Sequence, residues 1–228
     1  EEGTQSVPHI KENIKVKNGS HSYGYVFTVP YLIILALLLL DHWRVSPQDT
    51  FFCSYLISGR SISEPLAATL YTFLQVGVII GQFAGGIISD RIGPAYAVMG
   101  ACAGTALFTY LLTIIQNVKV IAIESIFLGF VSGMSFPLLL RLLLDLTPAE
   151  SKAQSTGIAN AFSFCASSVG ALSLGRIIDS FGFTQGFISL SAIAVASFIG
   201  ISAGIRFCPR LKDVGVPTAL RKGEVNVD

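Results

Sequence analysis

Leu32-Ile33-Ile34-Leu35-Ala36-Leu37-Leu38-Leu39-Leu40 is apolar on every side. A strand of a membrane barrel alternates apolar and polar residues; this run does not, so it predicts a helix. Apolar runs of about 20 residues recur along the chain, each long enough as a helix to cross roughly 30 Å of hydrocarbon. Inside lipid the backbone must satisfy its own polar groups, which leaves helices or a closed barrel. Composition agrees with the helical choice. Charged residues are 13% and apolar residues 52% of the chain, with a mean hydropathy of +0.66, whereas a soluble domain is about 25% charged. The formal net charge of +1 gives no general pull toward nucleic acid. The expected class is an all-α membrane protein with six transmembrane helices.

The polar residues 1–22 read as a cytosolic lead-in, residues 23–208 as the six-helix body, and residues 209–228 as a cytosolic tail. The first span starts near Tyr23 and has two readings. It stops at Leu40, with Asp41, His42, Trp43 and Arg44 at the outer interface, or it runs to about Ile57 through Pro47. The other spans are expected over 65–89, 95–115, 120–144, 155–178 and 187–207. Thr147-Pro148-Ala149-Glu150 reads as a helix start, with Thr as N-cap, Pro at N1 and Glu at N3. Cytosolic loops carry the excess of Lys and Arg. With both termini inside, Lys11, Lys15, Lys17, Arg91, Arg141, Lys152, Arg206, Arg210, Lys212, Arg221 and Lys222 are cytosolic, against Arg60 and Lys119 outside. The expected location is a multi-pass protein of the plasma membrane. The sequon Asn18-Gly19-Ser20 then falls on the cytosolic side, where it is not used. Residues 1–22 lack the n-region and h-region of a signal peptide, and the chain does not start with Met, which suggests a piece of a longer protein. Cys53, Cys102 and Cys165 lie in apolar segments as small core residues, and Cys208 stands at the interface. Neither a metal nor a cofactor is expected.

Glycines recur every four positions: Gly77, Gly81 and Gly85; Gly100 and Gly104; Gly129 and Gly133; Gly200 and Gly204. Such stripes let helix backbones approach closely in lipid. At the cytosolic end of the second span stands Gly86-Ile87-Ile88-Ser89-Asp90-Arg91-Ile92-Gly93. This GxxxDRxG run resembles the signature loop of the major facilitator superfamily, which recurs between helices 2 and 3 and between helices 8 and 9. Pro94-Ala95 follows where the family carries a basic pair. The resemblance implies that the chain is the C-terminal half of a 12-helix transporter, helices 7–12, built as a 3+3 inverted repeat. Gly175-Arg176-Ile177-Ile178-Asp179-Ser180-Phe181-Gly182 repeats the G-x3-D-x2-G skeleton on the opposite side of the membrane, as such a repeat would.

The resemblance implies partners and roles. The partners are the lipid bilayer, a missing N-terminal six-helix half, a small-molecule solute and a proton. A cytosolic gate is implied at Gly86, Asp90, Arg91 and Gly93. In it Asp90 meets the start of the fifth span, near residues 155–157, and Arg91 pairs with Glu150 or Asp145. Arg141 and Asp145 make an i, i+4 pair at the inner end of the fourth span. Ionisable residues at membrane depth mark a cavity or a partner. The candidates for a substrate and coupling cavity are Asp41, His42, Arg44, Gln48, Asp49, Gln75, Gln82 and Asn160. Asp41, Arg44 and Gln48 follow i, i+3, i+7 spacing. If the first span is long, they form one polar stripe near its middle. Arg44 then binds an anionic group, and Asp41 or Asp49 with His42 carries a proton. Glu124 reads as a residue snorkelling to the outer interface.

The expected function is a secondary transporter moving a small solute by alternating access, an organic anion with proton coupling favoured. The chain shows no aquaporin NPA pair, no TVGYG filter, no GxSG or HExxH enzyme motif and no P-loop. The competing readings are a transport-dead membrane scaffold or receptor, and a different six-span channel or carrier.

Overall fold

A computed structural model describes Gly24, Val26, residues 28–208 and Leu211. The lead-in, its sequon and most of the basic tail lie outside these described residues. The described residues form six long helices and no strand. They are α1 (Val29–Ser54), α2 (Glu64–Ile92), α3 (Pro94–Ile114), α4 (Val118–Asp145), α5 (Lys152–Phe181) and α6 (Phe183–Phe207). Each is long and apolar enough to cross a membrane.

The first span takes its long form. α1 passes through Pro47 and continues as a π-helical turn, Tyr55–Gly59, making one span of 31 residues. Two facts explain why it does not stop at Leu40. The charge of Arg44 is met inside the bundle, as described below. Phe52, Tyr55 and Leu56 are fully buried, so the apolar stretch after Pro47 has its place in the core. Pro30, Pro65 and Pro94 stand in the first turns of α1, α2 and α3, where a missing N–H costs nothing. Thr147 does not cap a helix. Its hydroxyl donates to the Leu143 carbonyl and lies 3.0 Å from Ser155 Oγ, which can donate to it, and a short 3₁₀ turn, Ala149–Ser151, leads into α5.

The internal repeat is visible in the packing. α2 packs mainly on α4, as α5 packs on α1; α3 packs on α4, as α6 packs on α1. The pattern maps onto itself when α1–α3 are exchanged with α4–α6. The two G-x3-D-x2-G copies also make the same turn. Gly93 ends α2 at φ 87° and ψ 145°, and Gly182 ends α5 at φ 85° and ψ 167°. Each donates its N–H four residues back, to Ser89 and Ile178. Both positions need the left-handed freedom that glycine alone has cheaply.

The glycine stripes divide into two kinds. A Cβ on Gly77 or Gly81 would overlap the carbonyl of Ile126 or Phe130 on α4. A Cβ on Gly129 or Gly133 would overlap the carbonyl of Leu74 or Val78 on α2. These four make a reciprocal backbone seam. Gly104, Gly200 and Gly204 meet only side chains, and Gly100 faces open space, so the third-span stripe is not a backbone seam.

Candidate functional site

Arg44 is the central residue of the Val29–Gly59 span. It is 2% exposed, and its neighbour one turn back, Asp41, is 4% exposed. Arg44 Nη2 donates to Asp41 Oδ1 at 2.7 Å, and Nη1 donates to Ser132 Oγ of α4 at 3.3 Å. A cation at bilayer mid-depth is tolerated only with such partners. Asp41 Oδ2 is buried and has no hydrogen-bond partner. A cavity of about 210 Å³ is lined by Asp41, His42, Asp49, Gln82, Ser132 and Phe136 among others. His42 Nδ1 lies 3.2 Å from the Leu38 carbonyl. A carbonyl only accepts, so Nδ1 carries the hydrogen in this contact. The His42 ring stands edge-on to Phe136 at 4.8 Å.

The structure therefore brings Asp41, His42, Asp49 and Gln82 together around one cavity and places Arg44 behind it, held by Asp41. The remaining candidates lie elsewhere. Gln48 is fully buried and faces α3, where Thr109 Oγ1 donates to its Oε1 at 3.4 Å. Gln75 lies near Tyr71, one turn back on its own helix, and does not line this cavity. Asn160 is half-buried on α5 and does not line this cavity. Sequence reasoning missed Ser132. A serine in a membrane helix is common, and only the fold brings it to Arg44. A cysteine at position 44, in a background without the other cysteines, is expected to react slowly with an impermeant thiol reagent. Fast labelling would place position 44 outside the bundle.

The GxxxDRxG motif is assembled differently from the expectation. Arg141 of α4 donates from Nη1 to Asp90 Oδ1 at 2.6 Å and to Ser89 Oγ at 2.5 Å, tying α4 to α2. Arg141 thus reaches across to α2 and not along its helix to Asp145. Asp90 takes this guanidinium, and the start of α5 is held instead by Ser155, which bonds Tyr31 Oη at 2.9 Å. Arg91, Asp145 and Glu150 are exposed. Among the described residues the ion pairs are Arg44–Asp41 and Arg141–Asp90, so Arg91 pairs with neither Asp145 nor Glu150. Gly86 leaves open space beside it, and Gly93 makes the turn.

The family described as Major Facilitator Superfamily matches residues 23–222. The fosmidomycin resistance protein of Escherichia coli (strain K12) is 27% identical over 148 residues, covering 64% of this chain and 36% of that protein. An uncharacterized MFS-type transporter of Bacillus subtilis (strain 168), YfnC, is 25% identical over 150 residues, covering 65% of this chain and 36% of that protein. Among solved structures, the POT family transporter PepTSo superposes with a TM-score of 0.69 at 16% identity, covering 78% of this chain and 37% of that one. A peptide transporter POT in complex with sulfate gives 0.71 at 14% identity, covering 85% and 42%. At those identities the solved structures speak for the fold alone. The chain spans well under half of each of these relatives.

Proposed function

The chain belongs to the Major Facilitator Superfamily, and we propose that it is the C-terminal half of a proton-coupled secondary transporter that binds its solute at the Asp41–Arg44 centre. It is an integral, multi-pass membrane protein. The observation that carries the proposal is a buried ion pair at the middle of the first span whose carboxylate residue lines a cavity and has one oxygen without a hydrogen-bond partner. The chemistry follows from the pair. While Asp41 is ionised it neutralises Arg44, and the site offers no net cation. A proton arriving at Oδ2 removes the charge that holds the guanidinium. Arg44 is then free to take the anionic group of a solute, and proton and anion enter together. Asp49, His42 and Gln82 supply further polar contacts around the cavity. The second half of the cavity belongs to an N-terminal six-helix half, and alternation of the two halves exposes the centre to either side.

The Arg141–Asp90 bridge is the cytosolic counterpart of that centre. It clasps α4 to α2 near the inner surface, with Asp90 largely exposed and Arg141 about a third exposed, so it is made and broken at little expense. Asp90→Asn is expected to lower transport several-fold while leaving the protein inserted and folded. Uptake equal to wild type would remove the bridge from the gate. For the function itself, the full-length protein in proteoliposomes under an inward proton gradient is expected to accumulate an organic anion, with protons entering alongside. A panel of organic anions giving neither uptake nor proton movement would favour the scaffold reading.

A further inference from the structure

The outer half of α4 holds a carboxyl group that the solute cavity does not use. Glu124 lies less than two turns from Val118, the start of α4, about 9 Å in from that end. It is 4% exposed, so it does not snorkel to the interface. Both carboxyl oxygens are buried and neither has a hydrogen-bond partner. Ile121 and Leu128, one turn to either side on the same face, belong to an apolar cluster with Phe52, Tyr55, Leu70 and Leu112. Burying an ionised carboxylate there without a partner is far more costly than burying the neutral acid.

The surroundings offer no cation to pair with it. On the first span, Tyr55 is the ionisable neighbour that interacts with Glu124, and Arg60 is already engaged. Arg60 Nε donates to Tyr55 Oη at 2.8 Å and Nη2 donates to the Leu112 carbonyl at 2.7 Å. Asp49 and Cys53 lie near Tyr71 of α2, as does Gln75. Glu64 of α2, Tyr110 of α3, Lys119 of α4 and Arg176 of α5 are exposed. Helices of its own half enclose Glu124, so a second half packed on their outer faces does not reach it.

We propose that Glu124 is a proton-binding site distinct from the Asp41 centre. Ser132, the α4 residue of that centre, lies eight residues further on, about 12 Å along the helix. In the conformation described, the site holds the acid form, reached by transfer of a proton from outside water to the carboxylate. Tyr55, Arg60 and the Leu112 carbonyl form its cap. Tyr55 Oη donates to Leu112 at 3.2 Å, so three hydrogen bonds close the cap on the end of α3. A cavity of about 530 Å³ is lined by Arg60, Gln116 and Ile121 among others, and the proposed route of the proton from the outer face runs through it. This inference concerns the proton alone and stands whether or not the Asp41 centre carries a solute.

Infrared difference spectroscopy of the full-length protein in lipid nanodiscs tests it. At neutral pH a protonated carboxylic acid carbonyl band is expected, shifted by deuterium exchange and by ¹³C-glutamate labelling but not by ¹³C-aspartate. Glutamate labelling reads the wild-type protein, so the result does not depend on a variant folding. Glu124→Gln is expected to lose the band and Asp41→Asn to keep it. Arg60→Gln, which opens the cap, is expected to speed its deuterium exchange at least several-fold. Absence of a glutamate acid band at neutral pH, or its persistence in Glu124→Gln, would overturn the proposal. An exchange rate unchanged in Arg60→Gln would overturn the cap.

Discussion

Gly129→Val is expected to abolish the folded protein, with no monodisperse species after detergent extraction. The reason is the partner atom. A Cβ at Gly129 overlaps the Leu74 carbonyl oxygen, part of a helix backbone and unable to rotate away. The same holds at Gly133 against Val78, and from the other side at Gly77 and Gly81 against Ile126 and Phe130. Lipid tails give helices no hydrophobic reason to associate, so close backbone approach and its van der Waals contacts hold α2 on α4. Weak Cα–H···O contacts add to them. Overpacking a core costs about 1–3 kcal/mol when side chains can shift. Here whole helices must separate, and the loss spreads over the seam. Gly129→Ala is therefore expected to lower the melting temperature by several degrees or more, and Gly129→Ala with Gly81→Ala by more than either alone. Gly100→Ala is the control: its Cβ meets open space, and alanine is the better helix former by about 1 kcal/mol. A Gly129→Ala protein as stable as Gly100→Ala would mean that the seam is not backbone-tight.

The glycine spacing was legible in the sequence, but not which stripes meet backbone. Gly77, Gly100 and Gly129 look alike in one dimension. The number of helices was legible because the bilayer imposes a length on every apolar run, and each run satisfies it with its own hydrogen bonds. The repeated G-x3-D-x2-G skeleton was legible, and its last glycines, Gly93 and Gly182, make the same positive-φ turn. Side-chain direction was not. Arg141 has an acid four residues along its own helix, yet it takes Asp90, 51 positions away in sequence. Glu124 stands near a helix end, which suggests an interface. The segment containing Tyr55 and Arg60 folds over that end and buries it. Asp41 and Arg44 share one stripe only on the long first span, which the sequence left open. What the stripe faces depends on Ser132 and Gln82, which no local pattern connects to it.

That stripe sets the second large effect. Arg44→Ala is expected to destabilise the protein by about 3–5 kcal/mol, because it leaves Asp41 buried without its cation. Loss of transport in that variant would by itself say little, since a poorly folded protein also fails. The informative variant removes both charges. Asp41→Asn with Arg44→Gln leaves no unpaired charge and keeps polar groups able to meet Ser132, so it is expected to recover most of the lost stability. If the pair serves only to hold α1 against α4, transport should recover with it. If Asp41 takes the proton that releases Arg44 to the solute, transport driven by a proton gradient should stay absent in the well-folded double variant. Asp41→Asn alone separates the two roles further. Its guanidinium is permanently released, so anion binding should persist and lose its dependence on pH, while accumulation against a gradient fails. Asp41→Asn with wild-type pH dependence would assign the proton to another group, and the double variant with wild-type uptake would reduce the pair to a structural contact.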